Sequence, residues 1–134
     1  MSSLPVDFES IASSILRKDI SKSSPTLRDR LFRSIFGTSS VVCSVLWEYL
    51  RRYGTVERKK IKQKHLLWSL MFLKLYANEE CHASLAGCDQ KTFRKWIWIV
   101  LKDIQRLEPR LVSPAFFTIK LYNLLHLFYK YFLI

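Results

Sequence analysis

The residues best suited to chemistry in this sequence are basic and amide side chains that share one face of a predicted helix around Lys95. Six residues form this surface, which we call the basic face: Gln90, Lys91, Arg94, Lys95, Trp98 and Lys102. Their spacing places them on one side of an α-helix. Arg and Lys can donate to guanine, Gln can pair with adenine, and Lys neutralises phosphates. The basic face therefore predicts contact with double-stranded DNA.

The opposite side of the same helix is apolar and predicts a buried stripe. The stripe consists of five residues at spacings of four, three, four and three: Phe93, Ile97, Val100, Ile104 and Leu107. Trp96 and Leu101 widen it. A short helix over residues 79–86 precedes it, with the small Ala83 for close approach and Gly87 for a left-handed turn. These features predict a helix-turn-helix over residues 79–107, in which Asp89 is the N-cap of the second helix.

A solvated face on an ordinary amphipathic helix is the alternative interpretation, because runs of charge usually lie in water. A small residue, a glycine turn, an apolar period and a one-sided basic face are together more specific than any one of them, and they favour entry of the helix into the major groove. Gln90, Lys91 and Arg94, near the start of the helix, are the predicted base contacts. Lys95 and Lys102 are the predicted phosphate contacts.

The positive charge of the chain is concentrated in its middle. The formal net charge is +11, and residues 51–110 carry fourteen Lys or Arg against six Asp or Glu. This excess indicates a polyanionic partner, either nucleic acid or an anionic membrane surface. Residues 55–64 hold five of these bases and are predicted to form a solvated basic connector.

The cysteines and histidines do not indicate a metal site or an enzyme. Six residues separate Cys81 from Cys88, with His82 between them, whereas ligand pairs in structural zinc sites lie about two to four residues apart. Buried thiols are the favoured interpretation. The odd number of cysteines, without short pairs, fits a reducing compartment. The sequence thus predicts a protein with no catalytic residues, cofactor, metal or small-molecule substrate.

The composition predicts that an all-α fold positions these residues. Nineteen aromatic residues among 134 are enough to bury a core, but three Gly and four Pro are too few for many short strands. Together with the helix-turn-helix, three apolar periods predict a bundle of about five helices. The three periods cover residues 27–36, 39–53 and 65–77.

The chain divides into three predicted parts. Residues 1–26 lack a lasting period and form an N-terminal arm with a short helix at residues 8–17, and residues 27–110 form the helical DNA-binding domain. Residues 111–134 form an apolar and aromatic tail in which polar residues recur every three or four positions: Lys120, Asn123, His126 and Lys130. This stripe predicts an additional C-terminal amphipathic helix rather than a membrane span.

Three segments carry a family resemblance. They are LFRSIFGTSSVVCSVLW (31–47), KHLLWSLMFLKLYANEE (64–80) and DQKTFRKWIWIVLKDIQRL (89–107). Together they resemble the N-terminal part of Harbinger-like transposases, the DDE-superfamily endonucleases of eukaryotic mobile elements. The resemblance implies a helical DNA-binding module in the nucleus, and contacts to element-end DNA from four residues: Gln90, Lys91, Arg94 and Lys95.

The same resemblance implies that catalysis is missing. DDE enzymes hold two divalent metals with three carboxylates, in a domain that follows the DNA-binding module. No Asp or Glu follows Glu108 in this sequence. We therefore expect a transposase-derived protein that binds DNA but is not an enzyme.

Two other hypotheses concern the tail. With the basic block, the tail also fits a membrane-surface or partner-helix interaction protein, and it offers a surface for self-association. The loss of resemblance after Arg110 also fits a truncated or misread reading frame. Binding to DNA, compared with binding to anionic vesicles, separates the first of these from the DNA hypothesis.

Overall fold

The structure, a computed structural model, describes residues 4–75 and 77–107. Over these residues it is all-helical, without strands, which confirms the predicted all-α bundle. In this part of the chain seven α-helices and a 3-10 turn at Ile20–Lys22 follow one another. The helices are α1 (Pro5–Leu16), α2 (Pro25–Phe36), α3 (Ser40–Tyr53), α4 (Val56–Lys59), α5 (Gln63–Lys74), α6 (Glu79–Ala86) and α7 (Gln90–Arg106).

Local chemistry explains where several helices begin and end. Three helices begin after a side chain that accepts the backbone N–H three residues further on: Ser24, Ser39 and Asn78. Two helices end at a glycine in the left-handed region, Gly37 with a φ of 76° and Gly87 with a φ of 79°. An L side chain is strained there, so glycine is the favoured residue at both positions.

The core is built around α5, which packs against α1, α2, α6 and α7. Its apolar residues point in nearly every direction, and the middle of the helix is buried, as the sequence predicts for a helix surrounded by others. The buried residues of this helix include Leu66, Leu67, Trp68, Leu70 and Met71. Over the described ranges, no helix is both long and apolar enough to cross a membrane.

The N-terminal segment differs from the predicted arm. Phe8, Ala12 and Ile15 on α1 are buried in the same core as the rest of the bundle, and the Phe8 ring meets Trp47 of α3 edge-on at 6.5 Å. The apolar spacing of four and three was hidden by the serines between them. Ser13 lies on the part-buried side and uses its hydroxyl to accept the Ile20 N–H at 3.2 Å.

The basic connector is also more structured than predicted. It contains α4, and its apolar residues Val56 and Ile61 are only 6% and 5% exposed. The described residues contain seven helices because α1, predicted only as a short helix of the arm, and α4, which was not predicted, join the five predicted helices of the bundle. The predicted C-terminal helix and the domain boundary near residue 110 lie outside those residues.

A buried carboxylate holds the far end of α7. Asp103 is fully buried and accepts hydrogen bonds from the Thr55 N–H at 2.7 Å, the Thr55 hydroxyl at 2.8 Å and Arg106 Nη1 at 3.0 Å. Its main partner, Thr55, is 48 residues away in the sequence. Gly54 makes room for it, because a Cβ there would lie 2.9 Å from Asp103 Oδ2.

Candidate nucleic-acid interface

Helices α6 and α7 have the order and turn of the predicted helix-turn-helix. Helix α6 has the predicted bounds, Ala83 is buried, and Gly87 adopts the left-handed conformation that the turn requires. Two backbone bonds close the turn: the Gly87 N–H donates to the Ser84 carbonyl at 3.2 Å, and the Cys88 N–H donates to the Ala83 carbonyl at 3.0 Å. The glycine and small-residue predictions are confirmed at the level of backbone and packing.

The apolar side of α7 faces the core, as its spacing predicts. All five residues of the stripe are buried, and Leu101 is buried beside them, whereas Trp96 is only partly buried. Phe93 anchors the beginning of the helix, because its ring contacts those of Trp68 and Phe72 on α5 and of His82 on α6. The orientation of α7 is therefore fixed by packing against two other helices.

The basic face lies on the other side of α7. The residues of this face that are exposed are Gln90, Lys91, Arg94, Lys95 and Lys102. Trp98 is half-buried and packs against the edge of the core. The structure thus brings the six predicted residues onto one surface, and their role in DNA binding stays a prediction.

Arg94 has a partner that sequence spacing did not show. Its Nε donates to Glu79 Oε2 at 3.1 Å, and its Nη2 also donates to that oxygen. The ion pair joins the two helices of the motif and raises the pKa of the guanidinium. The carboxylate occupies the side of the guanidinium that carries Nε, so Nη1 and the remaining Nη2 hydrogen are left to donate elsewhere.

Asp89 occupies the N-cap position of α7, with extended backbone at φ −78° and ψ 162°. Its carboxylate makes no capping hydrogen bond to the helix backbone, but the neighbouring Thr92 side chain lowers the Asp89 pKa. A negative charge therefore persists at the tip of the helix. Phosphates are expected to approach the lysines further along α7 instead of this tip.

The start of α5 lies against α7, which sequence reasoning missed because the two segments are about thirty residues apart. The His65 imidazole stacks on the Trp96 indole with ring centroids 3.8 Å apart and an interplanar angle of 7°. Lys64 Nζ lies 5.4 Å from the Trp68 ring, and Lys95 Nζ lies 5.1 Å from the Trp96 ring. Lysines from the connector and from the basic face therefore lie around one aromatic cluster.

The pKa of His65 reflects its burial and the lysines around it. The ring is buried, and its Nδ1 accepts the Lys62 N–H at 2.9 Å. Burial, together with the positive charges of Lys64, Lys62 and Lys95, lowers the His65 pKa to about 4. His65 is thus neutral at pH 7, and it packs between α5 and α7 as a flat, partly apolar ring.

The cysteines and His82 occupy different environments. Cys43 is buried, Cys88 is half-buried and Cys81 is exposed, so the buried-thiol interpretation is wrong for Cys81. His82 is buried against Phe72 and Phe93, and burial lowers its pKa, although the nearby carbonyls of Leu75 and Ala77 favour the proton. Within residues 4–75 and 77–107, no group of three or more His, Cys, Asp or Glu is placed to hold a metal ion.

Comparisons of the chain with models of protein families, with curated proteins and with solved structures gave no match.

Proposed function

We propose that this protein binds double-stranded DNA by placing the basic face of α7 in the major groove. The observation that carries the proposal is the position of this face: it is exposed on the second helix of a helix-turn-helix whose other side is locked into the core. A helix of this kind fits the major groove, where base edges carry distinct patterns of donors and acceptors.

The residues of the basic face divide into two kinds of contact. Gln90, Lys91 and Arg94 lie on the first turns of α7 and are proposed to contact base edges. Arg94 is well suited to guanine, because Glu79 holds one side of its guanidinium while Nη1 and one Nη2 hydrogen stay available to O6 and N7. Lys95 and Lys102, which lie two turns apart on the same side of α7, are proposed to contact phosphates.

The proposal includes no catalytic step. The Asp103 carboxylate is occupied by Thr55 and Arg106 in the core, where it stabilises the fold. The resemblance to Harbinger-like transposases adds the hypotheses that the DNA is an element end and that the protein is nuclear and transposase-derived.

The test is a fluorescence anisotropy titration of the full chain with duplex DNA over a range of salt concentrations. The double variant Lys95→Gln, Lys102→Gln is expected to lower the magnitude of the slope of log K against log salt by about 1.8, because each phosphate contact releases about 0.9 counterions. The control variant Lys22→Gln, Arg52→Gln removes two exposed positive charges outside the motif and is expected to leave the slope unchanged.

Two results would contradict the proposal. The first is an equal salt slope for the wild type, the double variant and the control, with helicity unchanged by circular dichroism. This result would favour the alternative that the basic face is solvated and does not bind DNA. Co-sedimentation with anionic vesicles, without DNA binding at the same salt concentration, would favour the membrane-surface alternative.

A further inference from the structure

The beginning of α5 presents a second basic surface beside the helix-turn-helix. Lys62 and Lys64 are exposed and lie three residues and one residue before His65, whose ring is stacked on Trp96 of α7. This stacking fixes the start of α5 against the middle of α7. The two lysines and Lys95 of the basic face therefore surround the same imidazole. The sequence had predicted that both lysines belong to a solvated connector.

A surface groove extends from this point toward α1. It has a volume of about 480 Å³, and its walls include Lys64, Trp68, Arg17 and the turn residue Gly87. Arg17, at the end of α1, is exposed, and its Nη2 donates to the Ser84 carbonyl of α6 at 3.5 Å. A basic side chain from α1 and another from α5 therefore flank the turn of the helix-turn-helix.

These cations are available to an external anion. Arg17, Lys62 and Lys64 form no ion pair with the described residues. The basic residues that do form one are Arg28, Arg33, Arg51, Arg94 and Arg106. The Lys64 ammonium lies over the Trp68 ring, and an aromatic ring leaves an ammonium free to donate hydrogen bonds to another group. A lysine in this position is a point charge suited to a phosphate oxygen.

We infer that Lys62, Lys64 and Arg17 form a second surface for the phosphodiester backbone of the same DNA. This inference rests on the proposed function, because it assumes that α7 lies in the major groove. A helix in that groove has a phosphate backbone on each side, and the stacked His65 and Trp96 place the start of α5 beside one of them. The surface holds DNA without reading its sequence.

The test uses the double variant Lys62→Gln, Lys64→Gln in the full chain, because glutamine keeps part of the aliphatic stem against Trp68. The expected result is equal weakening on preferred and unrelated duplexes and a salt slope smaller in magnitude by about 1.8. Between about 50 and 200 mM salt, the wild type should lose about 12-fold more affinity than this variant, which is the same slope difference over a fourfold change in salt. The variant Lys64→Arg keeps the charge and is expected to bind like the wild type.

Three comparisons separate this inference from the proposed function. If Lys95→Gln, Lys102→Gln lowers the slope and Lys62→Gln, Lys64→Gln does not, the second surface is refuted and the proposed function stands. If neither pair changes the slope relative to Lys22→Gln, Arg52→Gln, both are refuted. A loss confined to the preferred duplex would also refute the second surface, because it would show that these lysines read bases.

Discussion

Acidification should destabilise the bundle through the imidazole of His65. The ring is only 3% exposed, and its unprotonated Nδ1 accepts the Lys62 N–H at 2.9 Å. A proton on Nδ1 would remove this acceptor and add a further positive charge to those of Lys64, Lys62 and Lys95. Burial and these charges together lower the pKa of His65 from 6.5 to about 4.

The sign and size of the effect follow from this difference. Because the folded pKa lies below the unfolded pKa, the unfolded chain takes up the proton first as the pH falls. The contribution of neutral His65 to stability is fully present above about pH 6.5, decreases between there and about pH 4, and is constant below. Each pH unit in this window lowers the free energy of unfolding by about 1.4 kcal/mol, so the total is about 3 kcal/mol.

Urea unfolding followed by tryptophan fluorescence, at several pH values across this window, measures the effect. The matched variant is His65→Gln, because a glutamine three residues after the N-cap can accept the Lys62 N–H but does not titrate. We expect the wild type to lose about 3 kcal/mol more than the variant across the window. Every other titrating group is common to both chains, including His82, whose pKa is also lowered by burial.

Parallel curves of unfolding free energy against pH for the two chains would refute this reasoning. Such a result would mean that the imidazole accepts a proton in the folded state without loss of its packing against Trp96.

Two further predictions concern residues that hold or direct α7. Asp103→Ala should lower the free energy of unfolding by about 3 kcal/mol, because the part-buried N–H and hydroxyl of Thr55 lose their charged acceptor. Urea unfolding measures this loss, and the exposed control Glu80→Ala should change stability by less than about 0.5 kcal/mol; equal effects would contradict the tertiary role of Asp103. Glu79→Gln should tighten binding to unrelated DNA and reduce the preference for a selected site, because Arg94 loses the carboxylate that orients it. Anisotropy titrations with both duplexes measure the preference, and an unchanged ratio of affinities would show that Glu79 does not orient Arg94.

The parts of the fold that could be predicted are those specified by local spacing. The bounds of α6, the left-handed Gly87 and the buried stripe of α7 follow from residues within a few turns of one another. Helix α1 was missed as part of the core, although Phe8, Ala12 and Ile15 keep a helical spacing, because small polar residues interrupt the apolar run.

The contacts that position the candidate site could not be predicted from local spacing. Glu79 is 15 residues from Arg94, and Thr55 is 48 residues from Asp103. The stacking of His65 on Trp96 likewise joins two separate helices. A periodic pattern shows which side of a helix is buried, but it does not show which helix covers that side, so tertiary partners appear only when the bundle is assembled.

The attachment of α7 near both ends has a consequence for how the protein would meet its partner. The aromatic cluster around Phe93 fixes the beginning of the helix, and the bonds of Asp103 to Thr55 fix its final turns. Such a helix is ordered before any encounter, so association does not require a coil to fold and its conformational entropy is already lost. The exposed side chains still lose rotamer freedom on binding. The backbone that carries them is pre-organised, as in complexes whose interface backbones move little on binding.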